Sequence, residues 1–307
     1  MRILVVGAGA TGGYFGGRLA QAGRDVTFLV RPGRAEQLRA DGLRIVSPHG
    51  DATLTPQLVT AGHIAPTYDV VLLSVKAYAL DRALDDLAPA VGTDSMVLPV
   101  LNGMRHLEVL TKRFGEEPVL GGVCVVATML DDQGRIVQLA DTQELTYGEL
   151  DGVPSARVAA LDSIMQGAGF KARASQAIVQ EMWEKWVFLA TLGGITCLMR
   201  GTVGEIEATP GGADLARQFF SECAAIATAS GHPPDEGFTA RIMATVTAPG
   251  SPLASSMYRD LQRQRSVEVD HILGDLLGRA RHLGVAAPLL AAAFTHLRVY
   301  QQRLSAR

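Results

Sequence analysis

Short apolar runs alternate with helix-spaced patterns over the first 170 or so residues, and beyond Phe170 only helical patterns remain. That order predicts a mostly parallel, doubly wound sheet followed by an all-α part. Arg2 to Val6 and Val26 to Val30 read as strands on either side of an apolar helix from Thr11 to Ala22. Asp69 to Val75 and Met96 to Leu101 are continuous apolar runs, as strands covered on both faces are. Between them, Leu80 to Leu87 carries helical spacing and stops at Pro89. From Pro118 to Leu150 strands recur around Asp131-Asp132-Gln133-Gly134, a hairpin signal that predicts an antiparallel extension of the sheet.

Ser175 to Arg200, Asp214 to Ser230, Phe238 to Thr247 and Ser255 to Leu283 read as helices, broken at Gly231-His232-Pro233-Pro234 and Ala248-Pro249-Gly250-Ser251-Pro252. The predicted division is an α/β domain over 1–174 and a helical domain over 175–307. No repeat or low-complexity linker separates them, which predicts a close interface. Ligands of such folds commonly bind at domain interfaces and outside the carboxyl ends of the strands.

The first strand runs into Gly7-Ala8-Gly9-Ala10-Thr11-Gly12. In such a turn Gly7 permits the tight bend, Gly9 lets the backbone approach a pyrophosphate, and Gly12 lets the next helix pack on the sheet. Strand, turn, helix and second strand together point to a Rossmann-type dinucleotide site, with the helix N-terminus facing the phosphates. About 19 residues after Gly12 the second strand ends on Arg31, with Arg34 one turn further on. A carboxylate there would favour a free ribose diol, whereas a guanidinium binds a 2′-phosphate, so the expected cofactor is NADP(H). The competing reading makes Arg31 and Arg34 solvated surface residues beside Pro32-Gly33.

Composition narrows the partners. The chain has 307 residues, 48% hydrophobic and 19% charged, with a formal net charge of −3, which suits a globular protein and argues against a nucleic-acid or anionic-membrane surface. Cys124, Cys197 and Cys223 lie far apart in mostly apolar stretches and read as small buried hydrophobes. Met1 leads directly into a strand, and the apolar runs Val119 to Leu130 and Val285 to Phe294 fall short of the ~20 residues of a membrane span. A soluble cytoplasmic protein is expected, with Phe219-Phe220 and Leu289 to Phe294 as apolar surfaces for a homodimer or for finishing the core. The histidines form no HxxxH or HxH pattern, so no catalytic metal is expected.

Two residues of the helical half stand out. Ile178, Met182, Leu189 and Leu192 fall close to the helical azimuth of Lys185, so its ammonium emerges from an apolar stripe. Partial desolvation disfavours the charged form and suits a proton donor. A lysine that snorkels to water is the alternative. Glu268 interrupts the buried face of the helix predicted from Ser255, with Met257, Leu261 and Ile272 on a narrow arc around it. A carboxylate there needs a partner, and Lys185 with Glu268 makes either an acid with its orienting group or a structural ion pair. In the first half, Lys76 and Asn102 directly follow two buried strands, where residues face the ligand crevice or form turns. Trp183 and Trp186 flank Lys185 and read as packing residues.

The ordered set of the glycine turn with Arg31, Val75-Lys76-Ala77, Asn102-Gly103-Met104, Trp183-Glu184-Lys185, Gly204-Glu205-Ile206 and Ser255-Ser256-Met257 with Asp260, Glu268 and Asp270 resembles the ketopantoate reductase family. The resemblance implies NADPH-dependent reduction of 2-dehydropantoate to (R)-pantoate, in pantothenate and coenzyme A biosynthesis. It implies Lys185 as general acid, Glu268 as support for binding and protonation, Ser256 as a substrate contact, and Asn102 and Lys76 lining the cofactor and substrate cleft. The family usually carries asparagines one and two helical turns after its lysine, where this chain has Leu189 and Gly193; Val203 also replaces a polar family residue. A less polar and roomier cleft is expected on that side, with selectivity for pantoate weakened. Two alternatives stay open: reduction of a more apolar 2-oxo acid, and a non-catalytic NADP(H)-binding sensor.

Overall fold

The computed structural model describes residues 1–64 and 67–306. β1 (Arg2–Val6) sends Ile3 and Val5 into one buried cluster and Leu4 and Val6 into another, so the strand is covered on both faces. The chain continues through α1 (Ala10–Gln21), β2 (Asp25–Leu29), α2 (Pro32–Asp41), β3 (Leu43–Val46), β4 (Ala52–Leu54), β5 (Gln57–Val59), β6 (Val70–Leu73), α3 (Leu80–Leu87) and β7 (Met96–Pro99). Then follow α4 (Arg105–Phe114), β8 (Leu120–Leu130), β9 (Ile136–Glu149), α5 (Ala156–Met165) and β10 (Lys171–Ala174).

The first sheet has the order β5-β2-β1-β6-β7 and is parallel throughout. The chain moves outward from β1 to β2 and β5, then returns to β6 on the other side of β1. That reversal opens a crevice at the carboxyl ends of β1 and β6, the usual ligand position of such sheets. The expected antiparallel extension takes the form of a second sheet, β10-β9-β3-β4, with β8 paired antiparallel to β9 across the Asp131–Gly134 turn. A bridge between Val97 and Val119 ties β7 to the chain entering β8.

α1 lies flush on the strands because its glycines leave no room for side chains. A Cβ at Gly13 would come within 2.5 Å of Ile136, and one at Gly16 within 2.7 Å of the Phe28 ring. β10 corrects the expectation that strands end at Phe170. Lys171-Ala172-Arg173-Ala174 has no β-branched or aromatic residue, and the free edge of β9 recruits it, with Lys171 paired to Glu144 at 3.0 Å.

By internal packing the chain resolves into two compact units, one of Met1–Leu101 with His106–Val179, the other of Asn102–Arg105 with Gln180–Arg307. Beyond Ala174 the structure is helical: α6 (Ile178–Met199), α7 (Val203–Glu207), α8 (Gly212–Ala229), α9 (Glu236–Val246), α10 (Ser256–Gln262), α11 (Asp275–Leu283) and α12 (Pro288–Ser305). The single helix expected from Ser255 to Leu283 is not formed. Gln264 takes a left-handed φ of 53°, its N–H bonds to Leu261 O, and the Arg265 N–H bonds to Asp260 O, which together make a Schellman stop without glycine. A passage without regular structure, containing Val267, follows, and helix resumes as a π turn over Asp270–Gly274 that feeds α11.

All three cysteines are free and buried, and burial pushes the Cys197 and Cys223 thiols up to about 12. Among the described residues no helix is long and apolar enough to cross a membrane.

Candidate active site

In the first unit the glycine turn is locked from beneath. The Gly7 N–H donates to Leu29 O at 3.0 Å, Gly7 has a left-handed φ of 96°, and the Ser74 hydroxyl reaches Val6 O at 3.1 Å and Gly7 O at 3.2 Å. A Cβ at Gly12 would stand 1.9 Å from Ser74 Oγ and 2.3 Å from Gly7 O, so position 12 admits glycine alone. At Gly9, the N-cap of α1, a Cβ would meet nothing within 4 Å. The first i to i−4 bond of α1 runs from Gly13 N to Gly9 O, which leaves the amides of Ala10, Thr11 and Gly12 ahead of the ladder at the positive end of the helix. Ala8 itself is buried.

Arg31 is exposed at the N-cap of α2. Arg34, half-buried, behaves differently from the solvated residue considered above. Its Nε donates to Ala8 O at 3.2 Å, its Nη1 donates to Gln37 Oε1 at 2.6 Å and to Gly134 O at 3.1 Å, and its Nη2 is buried with no hydrogen-bond partner among the described residues. Burial, with Arg44 nearby, holds its guanidinium below the usual arginine value. Lys76, at the carboxyl end of β6, is exposed at the start of a short 3-10 turn. A shallow recess lined by Asp141, Thr142, Gln143, Glu144, Phe170 and Lys171 contains none of the candidate residues.

In the second unit Lys185 is half-buried on α6 between the buried Trp183 and Trp186. The two indoles lie 5.0 Å apart, His232 stacks on Trp183 at 5.2 Å, and the Arg279 guanidinium sits 5.5 Å from both indole centroids. Glu268 is 7% exposed, buried as its apolar neighbours imply. It is not on the face of a continuous helix but at the threshold of the π turn, where its carbonyl accepts the Ile272 N–H at 3.0 Å. His271 lies on that turn; burial lowers its pKa, Glu268 opposes the shift, and its Nε2 has no partner among the described residues.

Asn102 is half-buried and precedes Gly103, whose φ is 82° and whose Cβ would stand 2.8 Å from His271 O. The Asn102–Arg105 segment thus packs with the second unit, beside the turn that follows Glu268. Ser256 is half-buried at the start of α10, where the neighbouring Ser255 caps the helix through Tyr258 N at 3.0 Å and meets Thr196 Oγ1 at 2.9 Å. Leu189 is half-buried. Gly193 is buried, and a Cβ there would come 2.4 Å from Met257 Cε. At Gly193 the Met257 thioether occupies the space a larger side chain would take. Lys185, Glu268, Ser256, Leu189, Gly193 and Asn102 thus fall in one unit, and Gly7 to Gly12, Arg31 and Lys76 in the other.

Family models for "Ketopantoate reductase PanE/ApbA" and its C-terminal part match residues 3–152 and 177–301. The chain belongs to the ketopantoate reductase family. Like its family it is an oxidoreductase. It is 37% identical over 301 residues to the "Uncharacterized oxidoreductase YkpB" of Bacillus subtilis, covering 98% of this chain and 99% of that one. It is 29% identical to a 2-dehydropantoate 2-reductase of Mesorhizobium japonicum, covering 97% of each. A crystal structure of 2-dehydropantoate 2-reductase from Geobacter metallireducens superposes with a TM-score of 0.89 at 28% identity, covering 97% of this chain and 99% of that one.

Proposed function

We propose that this member of the family is an NADPH-dependent reductase of a 2-oxo acid, with reduction of 2-dehydropantoate to (R)-pantoate, and so a role in pantothenate and coenzyme A biosynthesis, as the leading reading. In it residues 1–174 bind the dinucleotide and residues 175–307 bind substrate and carry the acid. The observation that carries the reading is Glu268, a carboxylate 7% exposed in the same helical unit as the half-buried Lys185.

The first unit fits a dinucleotide. The amides of Ala10, Thr11 and Gly12, with open space at Gly9, suit a pyrophosphate. The exposed Arg31 suits a 2′-phosphate, and the buried Nη2 of Arg34, which has no hydrogen-bond partner among the described residues, adds positive charge beside the turn. When bound, the reduced nicotinamide supplies the hydride that reduces the ketone carbon. Lys185 Nζ donates a proton to the oxygen that gains charge, and the Glu268 carboxylate orients that ammonium or a substrate hydroxyl. Asn102 and Ser256 hydrogen-bond the substrate, Lys76 contributes positive charge beside the glycine turn, and Leu189, with Met257 packed over Gly193, makes an apolar part of the substrate wall.

A second reading keeps the chemistry and changes the substrate to a more apolar 2-oxo acid. Met257 Cε packed on Gly193, with Leu189 one turn before, favours it, because this wall offers no hydrogen bond to a substrate hydroxyl. NADPH oxidation across a panel of 2-oxo acids, with NADH in parallel, tests both. Turnover of 2-dehydropantoate with NADPH is expected under the leading reading, and preference for bulkier, less hydroxylated acids moves the assignment to the second reading. Lys185→Ala is expected to cost about 100-fold or more in kcat. An unchanged rate removes Lys185 from its role, and no turnover of any acid leaves the sensor reading.

A further inference from the structure

The turn that follows Glu268 is held by a neighbour of Lys185. After the Schellman stop at Gln264 the chain re-enters helix through a wide turn, in which the Asp275 N–H reaches back to Asp270 O. Wide turns splay their carbonyls away from the regular ladder, and a buried carbonyl needs a donor. The Ile272 carbonyl finds one in the Trp186 indole N–H, at 2.9 Å and fully buried. Ile272 also donates its own N–H to Glu268 O at 3.0 Å. Two hydrogen bonds therefore link the indole, one residue past Lys185 on α6, to the backbone of Ile272, and Ile272 in turn to the backbone of Glu268. Gly103 closes the turn from another side, with no space for a Cβ against His271 O.

From this we infer that Trp186 is a positioning residue: its indole N–H fixes the π turn that follows Glu268 to the helix bearing Lys185, and so sets where the carboxylate stands relative to the ammonium. The inference rests on the reading of Lys185 as acid and Glu268 as its support. Trp183, the other tryptophan, provides the contrast. Its ring packs equally deep, at 3% exposure, and engages His232 and Arg279 by ring contacts.

Trp186→Phe keeps an aromatic ring and removes the donor. The expected result is a fall in kcat of about tenfold or more for the accepted 2-oxo acid, with KM for NADPH unchanged, since small misplacements of reacting groups cost rate. Trp183→Phe is expected to stay within about twofold of the parent, as a ring cut without loss of this bond. Equal losses in both variants, or an unchanged kcat in Trp186→Phe, would overturn the inference. A measurement on the unaltered protein guards against a variant that fails to fold. With two tryptophans in the chain, ¹⁵N-indole labelling gives two signals, assigned by Trp183→Phe. That of Trp186 is expected to exchange with solvent far more slowly than backbone amides of exposed loops, and rapid exchange would count against a held turn. Lys185→Ala separates the failures: full activity in that variant removes the underlying reading, whereas inactivity there with an unaffected Trp186→Phe removes only the role given to the indole.

Discussion

A methyl group at position 12 has nowhere to go. It would press on Ser74 Oγ and Gly7 O at once, and the second of these is backbone, which does not swing aside. Gly12→Ala is expected to destabilise the protein by a few kcal/mol and to abolish measurable NADPH binding, checked by thermal unfolding and by titration of the dinucleotide. Gly9→Ala sets the opposite case. The new Cβ meets nothing, so the fold is expected to keep its thermal midpoint while NADPH binding weakens, because the methyl occupies the approach to the turn. The glycine turn was legible in the sequence because its spacing is a property of consecutive residues. The grip of Arg34 on Ala8 O was not, since it depends on the direction α2 takes after Pro32. Nor was the filling of Gly193 by Met257, a contact between two helices whose relative rotation no local pattern encodes.

At the scale of elements, helical spacing is a reliable guide until a stop is made without its usual residue. The pattern from Ser255 onward stays helical in appearance because Gln264 accepts the left-handed conformation that glycine normally supplies. Gln264→Gly is expected to stabilise the protein by about 1 kcal/mol by removing that strain, visible as a rise of about 2 °C in the thermal midpoint, and a fall would show that the Gln264 side chain contributes more than its backbone costs. The same hidden stop explains why the sequence predicts the burial of Glu268 but not its setting. The arc of Met257, Leu261 and Ile272 assumed one unbroken helix, which the stop at Gln264 interrupts; Glu268 is buried all the same, beside the buried Val267, Val269 and Ile272, and a π turn has no compositional mark. The parallel strands were legible for the converse reason: covered on both faces, β1 from Ile3 onward, β6 and β7 are apolar without interruption. β3, β4 and β5, three or four residues each, are too short for any period to register.

For the whole molecule, acid is the condition to which the helical unit is most exposed. Burial lowers the pKa of His232, His271 and His296 below the ordinary imidazole value of 6.5. Above that value both folded and unfolded chains hold these rings neutral, and stability does not depend on them. As pH falls below 6.5 the unfolded chain takes up protons that the folded one refuses, so stability declines and levels off only once the folded values are passed. Thermal midpoints are therefore expected to be flat from pH 8 to about 6.5 and to drop below it, with His271→Gln removing part of the slope; a midpoint that rises on acidification would contradict this. The four residues Asn102–Arg105 carry a different consequence, because they leave the first unit in mid-chain to pack with the second. A gene cut after Val179 would not release two self-sufficient halves: one fragment would keep a loop shaped for a surface it had lost, and the other would lack a piece of its own interior. An exchange of the helical half between relatives would therefore have to carry a matching Asn102–Arg105 segment with it.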